Sequence, residues 1–205
     1  SRIYHKLYRN NLCRGEWKNK RRPILINNWE ATYFDFDEEK LIVGVIYSDK
    51  EVFEKAMKML TDAFGETDGV CEEFSFSEEF SNYYDEELGG EGMRRIYSFK
   101  KTVDASRQAE IKELTNEFER ILSVDGNRKI NLDPGFINHG RLMLATTKEA
   151  GFRIPLADGI YTELTLFYAR GGWHKLPWTY RDYQSERVQK FITEVRAEYL
   201  KQRKE

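Results

Sequence analysis

Hydrophobic residues form an uninterrupted run at Leu41–Tyr47, and a helical spacing of apolar positions follows it. A continuous apolar run of this length is typical of a strand buried on both faces. Ser48 and Glu51 then fit a capping box at the start of a helix, and Gly65 is expected to end that helix. The residues that share its apolar face are Val52, Phe53, Ala56, Met57, Leu60, Ala63 and Phe64.

The pattern continues with alternating strands and helices to the end of the chain. The order strand–helix–strand–strand–helix–strand is that of a ferredoxin-like split βαβ unit. We therefore expect an α+β fold, in which a ferredoxin-like βαββαβ core is extended by further antiparallel strands and a C-terminal helix. The expected strands are Val70–Phe76, Arg94–Val103, Arg128–Leu132, Arg141–Thr146, Phe152–Leu156 and Gly159–Tyr168, and the expected helices are about 105–122 and Ser185–Leu200.

The sequence pattern changes near residue 40, which divides the chain into two segments. Residues 41–205 are expected to form a single α+β domain. Residues 1–40 are not expected to form an independent domain. We expect their removal to change the stability of the rest of the chain little.

Charge and cysteine content exclude several classes of protein. The net charge is −2, which gives no argument for binding nucleic acid or a membrane. No apolar run approaches the ~18 residues of a membrane helix. The two cysteines, Cys13 and Cys71, support neither a zinc site nor a disulfide framework, so a cytoplasmic location is expected.

Charge is nevertheless unevenly distributed along the chain. Residues 1–22 carry eight Arg or Lys and one acid, whereas residues 66–92 carry ten acids and no base. For the basic stretch three interpretations remain open: a solvated linker helix, a grip on single-stranded nucleic acid, or a transit peptide. A linker helix is the commonest of the three.

A short strand, Pro23–Asn28, precedes Trp29, and an acidic stretch follows at Asp35–Glu39. This run resembles the entry into the catalytic barrel of glycoside hydrolase family 36 α-galactosidases. The resemblance implies that Trp29 binds sugar, and that the acidic stretch begins the first helix of the hydrolase. Retaining glycosidases need two carboxyl groups ~5–5.5 Å apart, which this family brings from later strands. The segment is therefore expected to be an inactive fragment.

Several phrases after residue 41 also resemble a known family. They are Val43–Tyr47, Tyr83-Tyr84 before an acidic turn, Asn131–Gly135, Leu144–Lys148, Asp158–Glu163 and Trp178–Tyr183. They resemble domain-of-unknown-function family 4416, whose members are sometimes named GTP-binding proteins. The phosphate loop that such a name suggests is absent, because no Gly-x-x-x-x-Gly-Lys-Ser/Thr run occurs.

Two carboxylates are candidate catalytic residues. Asp133 is expected at the end of a strand, where Pro134 and Gly135 favour a turn. Glu163 lies within the long strand that begins near Gly159. If the two converge, they could polarise a water or bind a metal such as Mg²⁺. The simpler alternatives are a turn residue for Asp133 and a solvated strand face for Glu163.

Candidate ligand-binding residues lie in the following segments. Lys148 and Arg153 could contact a phosphate, although both could equally be solvated loop residues. Asp158, before Gly159, is a hairpin signal as well as a candidate. An aromatic cluster before the last helix could stack on a base or anchor that helix. Its members are Trp178, Tyr180 and Tyr183.

Three functional hypotheses follow from these residues. The first is a domain that binds or acts on a small phosphorylated molecule, such as a nucleotide, around Asp133, Lys148, Arg153 and Glu163. The second is a non-catalytic module that binds a partner protein. The third is an inactive relic of an α-galactosidase.

Overall fold

The computed structural model describes residues 36–203. Within this range the chain forms five α-helices and nine strands of one antiparallel sheet, which confirms the α+β fold. The strands are β1 Glu38–Tyr47, β2 Thr67–Val70, β3 Phe74–Ser75, β4 Met93–Asp104, β5 Ile130–Ile137, β6 Arg141–Thr146, β7 Ile154–Ala157, β8 Ile160–Ala169 and β9 Gly172–Lys175. The helices are α1 Lys50–Phe64, α2 Phe76–Glu79, α3 Asp85–Leu88, α4 Gln108–Ile121 and α5 Glu186–Gln202.

The sheet has the strand order β2-β4-β1-β5-β6-β8-β7, with β3 beside β4 and β9 beside β8. Four of these strands, β2, β4, β1 and β5, are joined through α1 and α4. They have the connectivity of the ferredoxin-like unit that the sequence pattern predicts. Strands β6 to β9 extend this unit on the β5 side.

Helices cover both faces of the sheet, and each face has its own apolar core. On one face α1 and α4 pack on alternate residues of β1, among them Leu41, Val43 and Val45. On the other face α5 packs on Ile42, Ile96 and Leu166. This second helix layer explains why β1 is a continuous apolar run. No helix in the described range has the length and apolar character needed to cross a membrane.

The start of α1 differs from the predicted capping box. The side chain of Asp49 caps the helix, because its Oδ1 accepts from the backbone N–H of Glu51 at 2.7 Å and of Val52 at 3.2 Å. The hydroxyl of Ser48 donates instead to the carbonyl of Leu88. The prediction was wrong by one residue, since a serine and an adjacent aspartate are both good caps.

Strand β1 begins earlier than the apolar run suggested. Glu38 and Glu39 lie in the strand rather than in the first turn of a helix, so the expectation drawn from the hydrolase is wrong there. Lys40 is fully buried, and its ammonium contacts the carboxylate of Asp68. The candidate Trp29 and the expected strand Pro23–Asn28 lie outside the described residues.

The predicted turn at Pro134-Gly135 is also wrong, because β5 continues to Ile137. The strand pairs with β1 along its whole length. It pairs with β6 only at its last three residues, from Gly135 onward. Proline has no N–H to donate to a neighbouring strand, so the β5–β6 pairing ends at Pro134.

Helix α4 supplies the hydrogen bonds that β6 does not give to the first half of β5. The ammonium of Lys112 donates to the carbonyl of Leu132 at 2.8 Å, and the N–H of Leu132 donates to Glu119 Oε1 at 2.6 Å. Lys112, Thr115 and Glu119 form a buried polar stripe on the helix. The separation of β5 from β6 therefore leaves no orphaned backbone group at Leu132.

We predict that Glu119→Ala lowers the free energy of unfolding by about 1–3 kcal/mol, because the buried N–H of Leu132 loses its acceptor. Urea denaturation measures the change. Glu113→Ala on the same helix is the control and should change stability by less than about 0.5 kcal/mol. Equal stability of the two variants would contradict this role of Glu119.

Candidate functional site

A cleft of about 140 Å³ lies where β5 and β6 separate. Asn131 and Asp133 of β5 form one side, and the segment that ends β6, residues 145–148, forms the other. Lys112 on α4 also lines it. Further side chains that line the cleft are Ile46, Phe76, Tyr84, Arg94, Asn116, Arg128, Leu144, Glu163, Tyr180, Asp182 and Tyr183.

Arg94 on β4 is a buried cation of the site. Its Nε lies 2.9 Å from Asp182 Oδ2, its Nη1 lies 3.8 Å from Asp133 Oδ2, and its Nη2 donates to the Tyr183 hydroxyl at 3.3 Å. Burial disfavours its charge, but Asp182 and the other surrounding groups raise the pKa of Arg94 above its ordinary value. The guanidinium therefore stays charged.

Gly44 of β1 makes room for that guanidinium. It pairs with Asp133 in the β1–β5 register and lies beneath Arg94. A Cβ atom at this position would lie 2.7 Å from Arg94 Nη2 and 3.4 Å from the Tyr183 hydroxyl. The glycine in the central strand is thus needed for a close approach rather than for a turn.

Asp133 lies between two cations of the site, Arg94 and Lys112. Its side chain accepts from Asn131 Nδ2 at 2.7 Å and lies 3.6 Å from Lys112 Nζ. The side chain is 30% exposed, so it is the most accessible of the three carboxylates that line the cleft. It faces the cleft from a strand and not from a turn.

Glu163 on β8 is almost completely buried and is paired with Arg153. The Nε of Arg153 donates to Glu163 Oε2 at 2.8 Å, and its Nη2 donates to the Tyr180 hydroxyl at 2.9 Å. Burial raises the pKa of Glu163 above its ordinary value, against the opposing effect of Arg153, and Asp133 raises it further. Burial also raises the pKa of Asp182.

Two more cations, Arg128 and Lys148, contact side chains in or just before the acidic helix α3. Arg128 forms a two-point ion pair with Glu87, with both distances 2.7 Å, and lies 3.2 Å from Glu119. The ammonium of Lys148 lies 5.0 Å from the centre of the Tyr83 ring. In the part of the chain that the structure describes, it forms no ion pair within 4.0 Å.

The structure brings most of the candidate residues together, with two exceptions. Asp133, Lys148, Glu163, Tyr180 and Tyr183 line the cleft, and Arg153 contacts Glu163. Asp158 has φ 55° and forms the turn between β7 and β8, away from the cleft. Trp178 stacks on Phe152 with ring centres 4.7 Å apart and donates to the Leu164 carbonyl. Neither of these two side chains lines the cleft.

Four charged residues of the site were not predicted from the sequence: Arg94, Lys112, Arg128 and Asp182. A signal existed for Arg94, because it shares a strand face with buried Ile96. The described residues contain no group of three or more His, Cys, Asp or Glu side chains placed to hold a metal ion.

Two family models match the chain. The model described as Domain of unknown function (DUF4416) matches residues 37–199. The model described as Melibiase matches residues 1–64, so the two overlap at 37–64. No solved structure matches the chain.

Curated α-galactosidases match the N-terminal part of the chain. Alpha-galactosidase AgaA of Geobacillus stearothermophilus is 64% identical over 42 residues, which is 20% of this chain and 6% of that protein. Alpha-galactosidase 1 of Pediococcus pentosaceus is 58% identical over 41 residues, 20% of this chain and 6% of that protein. Alpha-galactosidase Mel36A of Lactobacillus acidophilus is 41% identical over 69 residues, which is 34% of this chain and 8% of that protein. The chain thus spans less than a tenth of these relatives.

We predict that Gly44→Ala lowers the free energy of unfolding by about 1–3 kcal/mol, because the added methyl group displaces the Arg94 guanidinium from Asp182. Urea denaturation measures it. Gly140→Ala, where a Cβ meets nothing within 4 Å, is the matched control. A loss no larger than that of the control would show that Arg94 does not depend on Gly44.

We predict that Glu163→Gln is close to wild type in stability at low pH and gains on it as pH rises. Since the folded-state pKa of Glu163 is raised, its contribution is complete below the unfolded pKa and is lost as pH rises through the folded pKa. Glutamine does not titrate and keeps an oxygen acceptor for Arg153. Denaturation from pH 4 to pH 8 measures the difference, and a difference that does not vary with pH would contradict the prediction.

Proposed function

The chain belongs to the DUF4416 family of domains of unknown function, and we propose that its cleft binds a small phosphorylated molecule. The main support for this proposal is the position of Lys148. Lys148 lines the cleft together with two threonines, Thr146 and Thr147, and its ammonium, 5.0 Å from the centre of the Tyr83 ring, forms no ion pair with a described residue. An unpaired lysine beside hydroxyl groups is a typical partner for a phosphate.

The other cations support the proposal by their positions. Arg94, Lys112 and Arg128 also line the cleft, so four cations face three carboxylates there. An ammonium group has three N–H donors. The buried ammonium of Lys112 gives one to the Leu132 carbonyl and lies near Asp133, which leaves donor capacity towards the cleft. The lining side chains alone thus carry one more positive than negative charge, and Arg128 among them is also paired with Glu87 and Glu119 outside the lining.

The size of the cleft favours a small ligand. Its volume of about 140 Å³ lies below the roughly 300–1,000 Å³ of pockets that enclose drug-sized molecules. The chain also lacks the glycine-rich loops that cradle nucleotide phosphates. These two features support a phosphorylated small molecule more than a whole nucleotide.

The α-galactosidase match does not enter this proposal. It concerns the N-terminal segment and a small fraction of each relative. The alternative of a protein-interaction module keeps one supporting observation, the exposed side chains of Phe152, Ile154 and Leu156 beside the sheet edge. It predicts no effect of phosphate compounds.

We predict that a phosphorylated ligand at 100 times its dissociation constant adds about 2.7 kcal/mol to the free energy of unfolding. Thermal shift and calorimetry with inorganic phosphate, pyrophosphate, sugar phosphates, nucleotides and galactose measure it. Lys148→Gln should weaken binding about 10-fold or more, because it removes a charge-assisted hydrogen bond.

Lys190→Gln on the exposed surface of α5 is the matched control, since it removes the same charge away from the cleft. Equal weakening by both variants would indicate a non-specific charge effect. The absence of any response to phosphate compounds would overturn the proposal and favour the interaction module. A response to galactose alone would favour the hydrolase segment.

A further inference from the structure

The lining of the cleft is not suited to a phosphate group alone. Asp133 faces the cleft, and its described contacts are one hydrogen bond from Asn131 and ion pairs to Lys112 and Arg94 at 3.6 and 3.8 Å. An ionised carboxylate accepts about four hydrogen bonds. Its negative charge repels a phosphate, whereas its remaining acceptor capacity suits a hydroxyl group of the same ligand.

Two tyrosine hydroxyls increase the polar, uncharged part of the lining. Tyr180 accepts from Arg153 at 2.9 Å, which leaves its own hydrogen for another partner. Tyr84 also lines the cleft. Burial raises the pKa of Tyr180 to about 12 and the pKa of Tyr84 above its ordinary value, so both hydroxyls stay protonated at neutral pH. Such hydroxyls both donate to and accept from hydroxyl groups.

An aromatic wall lies beside these polar groups. The rings of Phe76 and Tyr84 lie 6.0 Å apart between centres, at an angle of 56°. Ile46 and Leu144 add apolar surface to the lining. A compact carbon skeleton whose apolar face packs on an aromatic ring, and whose hydroxyls reach a carboxylate, fits this combination.

We infer that the ligand is a phosphorylated polyol or monosaccharide, whose phosphate contacts Lys148 and whose hydroxyl groups donate to Asp133. The inference rests on the proposed function and narrows its ligand class. A free phosphate uses only the cations of the cleft. A nucleotide is bulkier than a monosaccharide phosphate and suits a cleft of about 140 Å³ less well.

Removing the charge of Asp133 should have opposite effects on the affinity for a sugar phosphate and for inorganic phosphate, and this difference provides a test. Calorimetry on the full chain compares inorganic phosphate, ribose 5-phosphate, glucose 6-phosphate, butyl phosphate and AMP. At least one sugar phosphate should bind ten-fold or more tightly than inorganic phosphate and than butyl phosphate, which lacks the hydroxyls.

Asp133→Asn should weaken the sugar phosphate at least five-fold and leave inorganic phosphate unchanged or tighter, because a repulsive charge is removed. A role in folding alone would move both affinities in the same direction. Asp158→Asn, in the turn between β7 and β8, is the matched control and should change neither affinity.

Three results overturn the inference while the proposed function stands: sugar phosphates no tighter than butyl phosphate, AMP tighter than every sugar phosphate, or equal weakening of both probes by Asp133→Asn. Failure of every phosphate compound to bind overturns the proposed function as well. The comparison of sugar phosphates with butyl phosphate uses the unaltered chain, so it decides even if the variant does not fold.

Discussion

The site depends on the end of the β5–β6 pairing at Pro134. A central strand that loses a neighbour leaves backbone groups without partners, which is costly unless other groups replace the missing strand. Lys112 and Glu119 of α4 replace it at Leu132. The sheet can therefore open without unfolding, and the side chains of Asn131 and Asp133 reach a cleft instead of a packed interface.

The charges of the cleft are balanced around Arg94 and Asp133. Burial opposes the ionised forms of Glu163, Asp182 and Glu119, and raises the pKa of each. Their ion pairs to arginine offset only part of this effect. Buried ion pairs of this kind are weak contributors to stability. A cluster maintained against desolvation is typical of a functional site, since activity there is commonly held at some cost in stability.

The sequence predicted the fold better than it predicted the site. The apolar run of β1 and the helical spacings of α1 and α4 are local patterns, and they were sufficient for the βαββαβ order. The Pro134-Gly135 pair was misjudged because its turn signal is local, whereas its actual effect depends on where β6 leaves β5. Arg94 and Lys112 were missed for a similar reason. They come from different elements, and only the packed sheet brings them to the same cleft as Asp133 and Glu163.

The gap between β5 and β6 is the proposed binding site for phosphate groups. The most direct test is a two-dimensional amide NMR titration of the full chain with inorganic phosphate. If the gap binds phosphate, the largest shift changes should occur in the backbone amides of residues 131–133 and 146–148, on the two sides of the gap. Changes confined to the basic residues 1–22, with none beside the gap, would contradict it.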